Sequence, residues 1–119
     1  MLCLDTYALM EIKQENPKFI YLLNQKFVIP DPIMAEFYSV LYREKGESEA
    51  DHWHDRLKHY CKPASREILI KALKYRIDNK KDNLSIFDCV GYIYSLENNL
   101  KFVTGDKAFK NRESVMFIY

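Results

Sequence analysis

Four carboxylates, Asp5, Glu36, Asp88 and Asp106, are the residues of this 119-residue chain with the clearest potential for chemistry. Asp5 closes the apolar run MLCL at the start of the chain and has no basic residue beside it. A charge at the end of a hydrophobic strand is costly unless a hydrogen-bond donor or a cation compensates it. We therefore expect Asp5 either to cap the helix that follows or to hold a cation.

Asp88 is the only charged residue between positions 86 and 96, within the apolar segment IFDCVGYIYSL. Ser85 stands three residues before it, which is the spacing of a helix capping box. The small residues Gly91 and Ser95 follow at three and seven residues and predict open space around the carboxylate. Capping and metal binding are compatible here, because both place a carboxylate at the start of a helix.

The other two carboxylates also have ordinary structural explanations when each is taken alone. Asp106 follows the apolar run KFVT through Gly105 and precedes the helical segment KAFK, as an N-cap residue does. Glu36 lies at the edge of an apolar helical stripe, where most glutamates are simply solvated. No single acidic residue therefore identifies a functional site.

Short β-rich apolar runs alternate with helical segments along the whole chain, which predicts an α/β fold. We expect one domain over residues 1–119, a three-layer α/β/α sandwich around a central, mainly parallel sheet of about four or five strands. The predicted strands span residues 2–4, 26–30, 101–104 and 115–119. The predicted helices span residues 7–25 with a break near Pro17, 31–45 and 47–60, and three more begin at Ser65, Ser85 and Asp106. The helix from Ser65 is predicted to turn Ile68, Leu69, Ala72, Leu73 and Ile77 inward.

This arrangement brings the four acidic residues to one edge of the sheet. In a parallel sheet the carboxyl ends of the strands share an edge with the amino ends of the helices that follow, and ligands bind there. Four carboxylates on one edge repel one another unless a divalent cation neutralises them. Oxygen ligands without His or Cys favour Mg²⁺ or Mn²⁺. The formal net charge of +1 then leaves the rest of the surface net positive.

Composition excludes several other classes of protein. The N-terminal apolar run is too short for a secretory signal, and no window approaches the roughly 18 apolar residues of a spanning helix. Three cysteines without CxxC spacing predict free thiols in a reducing, cytoplasmic environment. The sequence has no GxxxxGK, GxGxxG or GxSxG motif, so nucleotide-cofactor and serine-hydrolase functions are not indicated.

Taken in order, four segments resemble a PIN domain of the VapC-like toxin ribonuclease type: LDTYAL, IMAEFYSVL, SIFDCVGYIYS and FVTGDKAF. Each motif is weak alone, but together they cover nearly the whole chain. The resemblance implies a metal-dependent ribonuclease, in which Asp5, Asp88 and Asp106 are metal ligands, directly or through water. It also implies that Glu36 holds a metal-bound water or helps to activate the nucleophile.

The resemblance further implies that Thr104 supports the site through hydrogen bonds. The family often has a small hydroxyl residue two positions after the first Asp, where this chain has Tyr7, with Thr6 adjacent as the supporting hydroxyl. Many members also carry an acid just after the last Asp, where this chain has Lys107. Tyr7 itself has two explanations, stacking on a base or packing at the end of a strand.

RNA binding requires cations, because phosphate contacts dominate nucleic-acid affinity. Lys107, Lys110 and Arg112, which are close to Asp106 in sequence, are the predicted substrate-binding residues. The resemblance implies a small antitoxin protein as partner and a homodimer, for which Tyr38 and Tyr42 are candidate contacts.

Two other functions stay open from the sequence. One is a catalytically weak or silent PIN-like domain that binds RNA or protein, which the departures at Tyr7 and Lys107 keep in view. The other is an aspartate-based phosphotransferase or phosphoacceptor with Asp5 as nucleophile. It is the weaker alternative, because no second Asp lies two residues after Asp5.

Overall fold

The computed structural model describes residues 1–119 and contains one five-stranded sheet in which every neighbouring pair of strands is parallel. Its spatial order is β3-β2-β1-β4-β5, with β1 at the centre. The strands are β1 (Leu2–Leu4), β2 (Phe27–Pro30), β3 (Cys61–Lys62), β4 (Lys101–Thr104) and β5 (Val115–Phe117). The predicted α/β fold with a parallel central sheet is confirmed.

Six α-helices connect and cover the strands, with short 3₁₀ turns between some of them. None of the six helices combines the length and the apolar composition that spanning a bilayer requires. The helices are α1 (Thr6–Lys13), α2 (Pro17–Ile20), α3 (Asp31–Lys45), α4 (Glu47–Leu57), α5 (Arg66–Asp78) and α6 (Ile86–Glu97).

Helices lie on both faces of the sheet, as two neighbouring residues of β1 demonstrate. Cys3 and Leu4 point to opposite faces because side chains alternate along a strand. Both residues are fully buried. The Cys3 thiol lies 3.7 Å from the carbonyl oxygen of Gly91 in α6, so α6 covers that face of β1. Cys3, Cys61 and Cys89 are free thiols.

The break predicted near Pro17 is present, and it has a local cause. α1 ends at Lys13, and Glu15 then adopts a positive φ of 58°. Asn16 caps α2 by accepting a hydrogen bond from the backbone nitrogen of Lys18, with Pro17 at the first helical position. This turn returns the chain to β2 alongside β1 and so sets the crossover between the two strands.

The two-residue strand β3 was not predicted, because Cys61 and Lys62 form no apolar run. Their strand character comes from pairing with Ile29 and Pro30 at the edge of the sheet. Backbone hydrogen bonds of this kind depend on β2 being in place, so no local pattern indicates them.

The predicted inward face of α5 is wrong for three of its five residues. Ile68 and Ala72 are buried, whereas Leu69, Leu73 and Ile77 are 38%, 49% and 69% exposed. The reason is that α5 packs chiefly on α6 rather than on the sheet. A helix in this outer position buries only the narrow stripe that meets its neighbour.

Gly91 does not leave open space beside Asp88, as the sequence had suggested. A Cβ added at Gly91 would lie 2.6 Å from Ile33 Cδ1 and 2.6 Å from Phe102 Cε1. The missing side chain therefore lets α6 approach α3 and β4 closely. Asp88 lies on α6 and Glu36 lies on α3, so this packing helps set the distance between the two carboxylates.

We expect Gly91→Ala to destabilise the protein by about 1–3 kcal/mol, because the added methyl group overpacks this contact. The effect should appear in urea unfolding even though alanine is the better helix former. The double variant Gly91→Ala/Ile33→Val removes the clashing Cδ1 and should be less unstable than the sum of the two single variants. Additive effects would show that Ile33 is not the obstacle.

Candidate active site

The four acidic residues lie around one open cavity of about 570 Å³ at the carboxyl edge of the sheet. Asp5 follows β1, Asp106 follows β4 through Gly105, and Glu36 and Asp88 lie in the first turns of α3 and α6. The cavity is lined by Asp5, Thr6, Tyr7, Glu36, Ser85, Asp88, Gly105, Asp106 and Lys107. The structure therefore brings together residues that are up to about 100 positions apart in the sequence.

Asp5 is the most buried of the four carboxylates, with 1% of its surface exposed. Its Oδ1 caps α1 by accepting a 2.7 Å hydrogen bond from the backbone nitrogen of Ala8. Its Oδ2 is buried and has no hydrogen-bond partner. Burial, and then the charge of Asp88, raise the pKa of Asp5 well above its usual value, and hydrogen bonding with the Thr104 side chain and the Ala8 backbone opposes this rise. One oxygen of Asp5 thus caps a helix, and the other is buried without a hydrogen bond.

Asp88 lies at the start of α6, where the backbone nitrogen of Asp88 donates a 3.0 Å hydrogen bond to Ser85 Oγ. Burial raises the pKa of its carboxyl to about 6, with smaller contributions from the charges of Asp106 and Glu36. The hydrogen bond with Ser85 acts in the opposite direction. Ser85 was predicted only as a helix cap, and its place in the cavity wall follows from that capping role.

Asp106 is held by the strand that precedes it and by the 3₁₀ turn that follows it. Its backbone nitrogen donates a 3.0 Å hydrogen bond to Thr104 Oγ1, and its Oδ1 accepts a 3.0 Å bond from the backbone nitrogen of Ala108. Thr104 is fully buried. These two bonds fix the position of the Asp106 carboxylate and give the Thr104 hydroxyl a supporting contact with the site.

Glu36 is linked to the β1 side of the cavity through Thr6. The Thr6 hydroxyl donates a hydrogen bond to Glu36 Oε1, between residues 30 positions apart. This bond ties the first residue of α1 to α3 and orients the glutamate toward the cavity that both residues line. Thr6 is therefore placed beside one of the four acidic residues.

The donor set is chemically suited to a divalent metal ion. All four acidic groups offer oxygen, and the buried Oδ2 of Asp5 has no partner within the chain. No group of three or more His, Cys, Asp or Glu side chains is arranged, as placed, to hold a metal ion. Mg²⁺ is commonly bound through only one or two carboxylates and keeps several waters, so a full protein cage is not required.

Of the three predicted substrate-binding cations, the structure places only Lys107 at the cavity. The Lys110 ammonium lies 5.7 Å and 5.8 Å from the ring centroids of Phe117 and Tyr119. Arg112 lies elsewhere, where its guanidinium contacts Tyr75 and Asp82, and its Nε donates a 3.0 Å bond to the carbonyl of Ala108.

Through these contacts, Arg112 links the C-terminal part of α5 to the segment after β4. Proximity to Asp106 in sequence did not predict this direction, because it depends on where α5 ends.

A second cavity of about 580 Å³ lies beside α3, α4 and β3. It contains His54 and Tyr38, and the hydroxyl of Tyr38 donates a 2.6 Å hydrogen bond to Asp51. None of the four acidic residues lines this second cavity.

Comparison with known proteins identifies the family. The sequence matches the PIN domain over residues 2–114, so the chain belongs to the PIN domain family. A comparison with curated protein sequences finds no significant match.

Solved structures share the fold at low sequence identity. VapC20 of Mycobacterium tuberculosis, described as a sarcin–ricin loop cleaving toxin, is 13% identical with a TM-score of 0.80 over 97% of each chain. A toxin–antitoxin complex from Klebsiella pneumoniae is 15% identical with a TM-score of 0.77, over 100% of this chain and 98% of the other. VapBC-1 from nontypeable Haemophilus influenzae is 15% identical with a TM-score of 0.73, over 98% and 96%.

The raised pKa of Asp88 predicts a distinctive pH dependence of stability in EDTA. The folded protein binds the Asp88 proton more tightly than the unfolded chain, in which the pKa is near 3.8. This contribution therefore stabilises the fold below about pH 4 and is lost as the pH rises through about 6. We expect Asp88→Asn to gain in melting temperature relative to the wild type as the pH is raised from about 4 to about 7.

The matched control is Asp55→Asn, because the Asp55 side chain is 70% exposed and pairs only with Lys58. Its melting temperature should follow the wild type across the same pH range. A constant difference between wild type and Asp88→Asn would contradict the prediction.

Proposed function

We propose that this protein is a Mg²⁺- or Mn²⁺-dependent ribonuclease that hydrolyses RNA phosphodiester bonds and acts as the toxin of a type II toxin–antitoxin pair. The observation that carries the proposal is the gathering of four carboxylates around one cavity, one of which, Asp5, has a buried Oδ2 without a hydrogen bond. Membership of the PIN domain family supports the same reaction class.

The four carboxylates would have different roles, because their environments differ. Asp5, Asp88 and Asp106 would hold the metal ion, directly or through water. A bound divalent ion would lower the pKa of a water molecule that it binds and would stabilise the negative charge on the leaving oxygen. Glu36, oriented by Thr6, would position the attacking water and accept its proton. Thr104 would keep Asp106 in place through the hydrogen bond that it accepts from the backbone.

Lys107 would contact the phosphate backbone of the RNA beside the cavity, because it is the cation that lines the site. Lys110, which is close to Lys107 in sequence, would contact a neighbouring phosphate of the same RNA strand. Arg112 is left out of the proposed substrate-binding set, since its guanidinium already contacts Tyr75 and Asp82.

The partners proposed are RNA and a small antitoxin protein, in the cytoplasm. VapC20 is described as a sarcin–ricin loop cleaving toxin, and the Klebsiella pneumoniae structure as a toxin–antitoxin complex. These descriptions, with the shared fold, support the toxin assignment. The homodimer expected from the family resemblance is part of the same proposal, and Tyr42, which is 55% exposed on α3, is a candidate contact.

A phosphotransferase with Asp5 as nucleophile is less well supported. Asp5 is 1% exposed, and one of its oxygens is engaged by Ala8. A carboxylate with so little exposed surface is poorly placed to attack a substrate in line.

Incubation of labelled single-stranded RNA with the protein should give cleavage in Mg²⁺ or Mn²⁺, with 5′-phosphate and 3′-hydroxyl products. EDTA should stop the reaction. Asp88→Asn should slow it by on the order of 100-fold or more, because mutating even a residue that only hydrogen-bonds to a metal ligand lowers activity by about 10- to 100-fold. Asp55→Asn is the matched control and should keep full activity. Cleavage that persists in EDTA or in Asp88→Asn contradicts a metal-dependent nuclease.

RNA binding that is retained without cleavage of any RNA tested would instead favour a silent PIN-like domain. Mg²⁺ and Mn²⁺ should also raise the melting temperature of the wild type and have less effect on Asp5→Asn, because a ligand that binds only the folded state stabilises it.

Lys107→Ala and Arg112→Ala should separate binding from stability. Lys107 is exposed, so its loss should weaken RNA binding and reduce the salt dependence without changing the melting temperature. Arg112→Ala removes contacts with Tyr75 and Asp82 and should lower the melting temperature by several degrees. A loss of stability in Lys107→Ala, or an unchanged melting temperature in Arg112→Ala, would reverse these assignments.

A further inference from the structure

Tyr7 has a surface that neither the fold nor the proposed metal chemistry uses. It stands two residues after Asp5, lines the cavity with the acidic residues and is 41% exposed. It is also the one hydrophobic side chain among the nine residues of the cavity wall.

The ring is held in place from within the protein. A Cβ added at Gly105 would lie 2.2 Å from Tyr7 Cε1 and 2.5 Å from its Cζ, so only glycine leaves room for the ring there. Phe19 packs beside it with a centroid separation of 5.8 Å and an interplanar angle of 51°. A ring braced in this way loses little conformational entropy when a ligand stacks on it.

The neighbours of Tyr7 decide which ligand fits. Gly105 lies between Thr104 and Asp106. The Tyr7 ring therefore packs against the segment that carries the Asp106 carboxylate. A phosphodiester lying over the carboxylates would bring a flanking nucleotide to the cavity wall. Bases stack on aromatic side chains regardless of their identity, since every base has a π-face. A base inside a duplex has both faces covered by its neighbours and is not available for this contact.

We propose that Tyr7 is a stacking platform for an unpaired base adjacent to the scissile phosphate. The proposal rests on the ribonuclease function proposed above and assigns a base-binding residue to its site. Tyr7 acts here in binding and positioning the RNA and takes no part in the hydrolysis itself.

The test uses single-stranded RNAs about 12 nucleotides long, each with 2-aminopurine at one of a series of positions, because stacking quenches its fluorescence. Cleavage is blocked by using Asp88→Asn as the common background. Tyr7 or Tyr7→Phe in this background should quench the probe at one or two positions. Tyr7→Leu should abolish that quenching and weaken binding at least fivefold, which is the low end for loss of one base stack.

Tyr21→Leu is the matched control, because Tyr21 is 44% exposed and does not line the cavity. It should quench and bind as the background protein does. The same RNA annealed to its complement should bind less tightly to the Tyr7 protein, and Tyr7→Leu should reduce that difference. An abasic nucleotide at the quenched position should weaken binding as much as Tyr7→Leu does, which tests the contact without altering the protein.

Equal quenching and affinity in Tyr7→Leu, or no effect of the abasic nucleotide, overturns the stacking proposal even if the wild type cleaves RNA. Tyr7-dependent quenching in a protein that cleaves no RNA retains the stacking contact and overturns the nuclease function. The two proposals can therefore fail separately.

Discussion

The buried carboxylate of Asp5 is the constraint around which this structure is organised. It lies at the end of the central strand β1, with one oxygen on the backbone of Ala8 and the other without a partner. Asp88 and Asp106 are close enough for their charges to raise its pKa further. Such an arrangement is unfavourable for the stability of the fold and is characteristic of sites where stability is given up for function.

Capping and ligand binding are not competing explanations for these carboxylates. Asp5 caps α1 and Asp106 caps a 3₁₀ turn, each through one oxygen, while both residues line the cavity. The caps hold the carboxylates in fixed positions around the cavity, which is the preorganisation that a binding site requires. Ser85 also serves both purposes, because it caps α6 and thereby positions Asp88.

The elements that carry the acidic residues could be predicted from the sequence, because short apolar runs and helix caps are local signals. α3 spans residues 31–45 and β4 ends at Thr104, both as predicted. The edge strand β3 and the exposed face of α5 were not predictable in this way. Both depend on what packs against a segment, and hydrophobic periodicity does not report the number of neighbours that a helix will have.

The sequence by itself determined the fold class, the PIN domain resemblance and the set of acidic residues at strand ends and helix starts. Only the tertiary structure decided which polar residues join them. It placed Lys107 at the cavity, turned Arg112 toward Tyr75, and laid the Tyr7 ring against Gly105. The physical reason is that backbone propensity and capping act over a few residues, whereas the direction of a side chain depends on the elements packed around it.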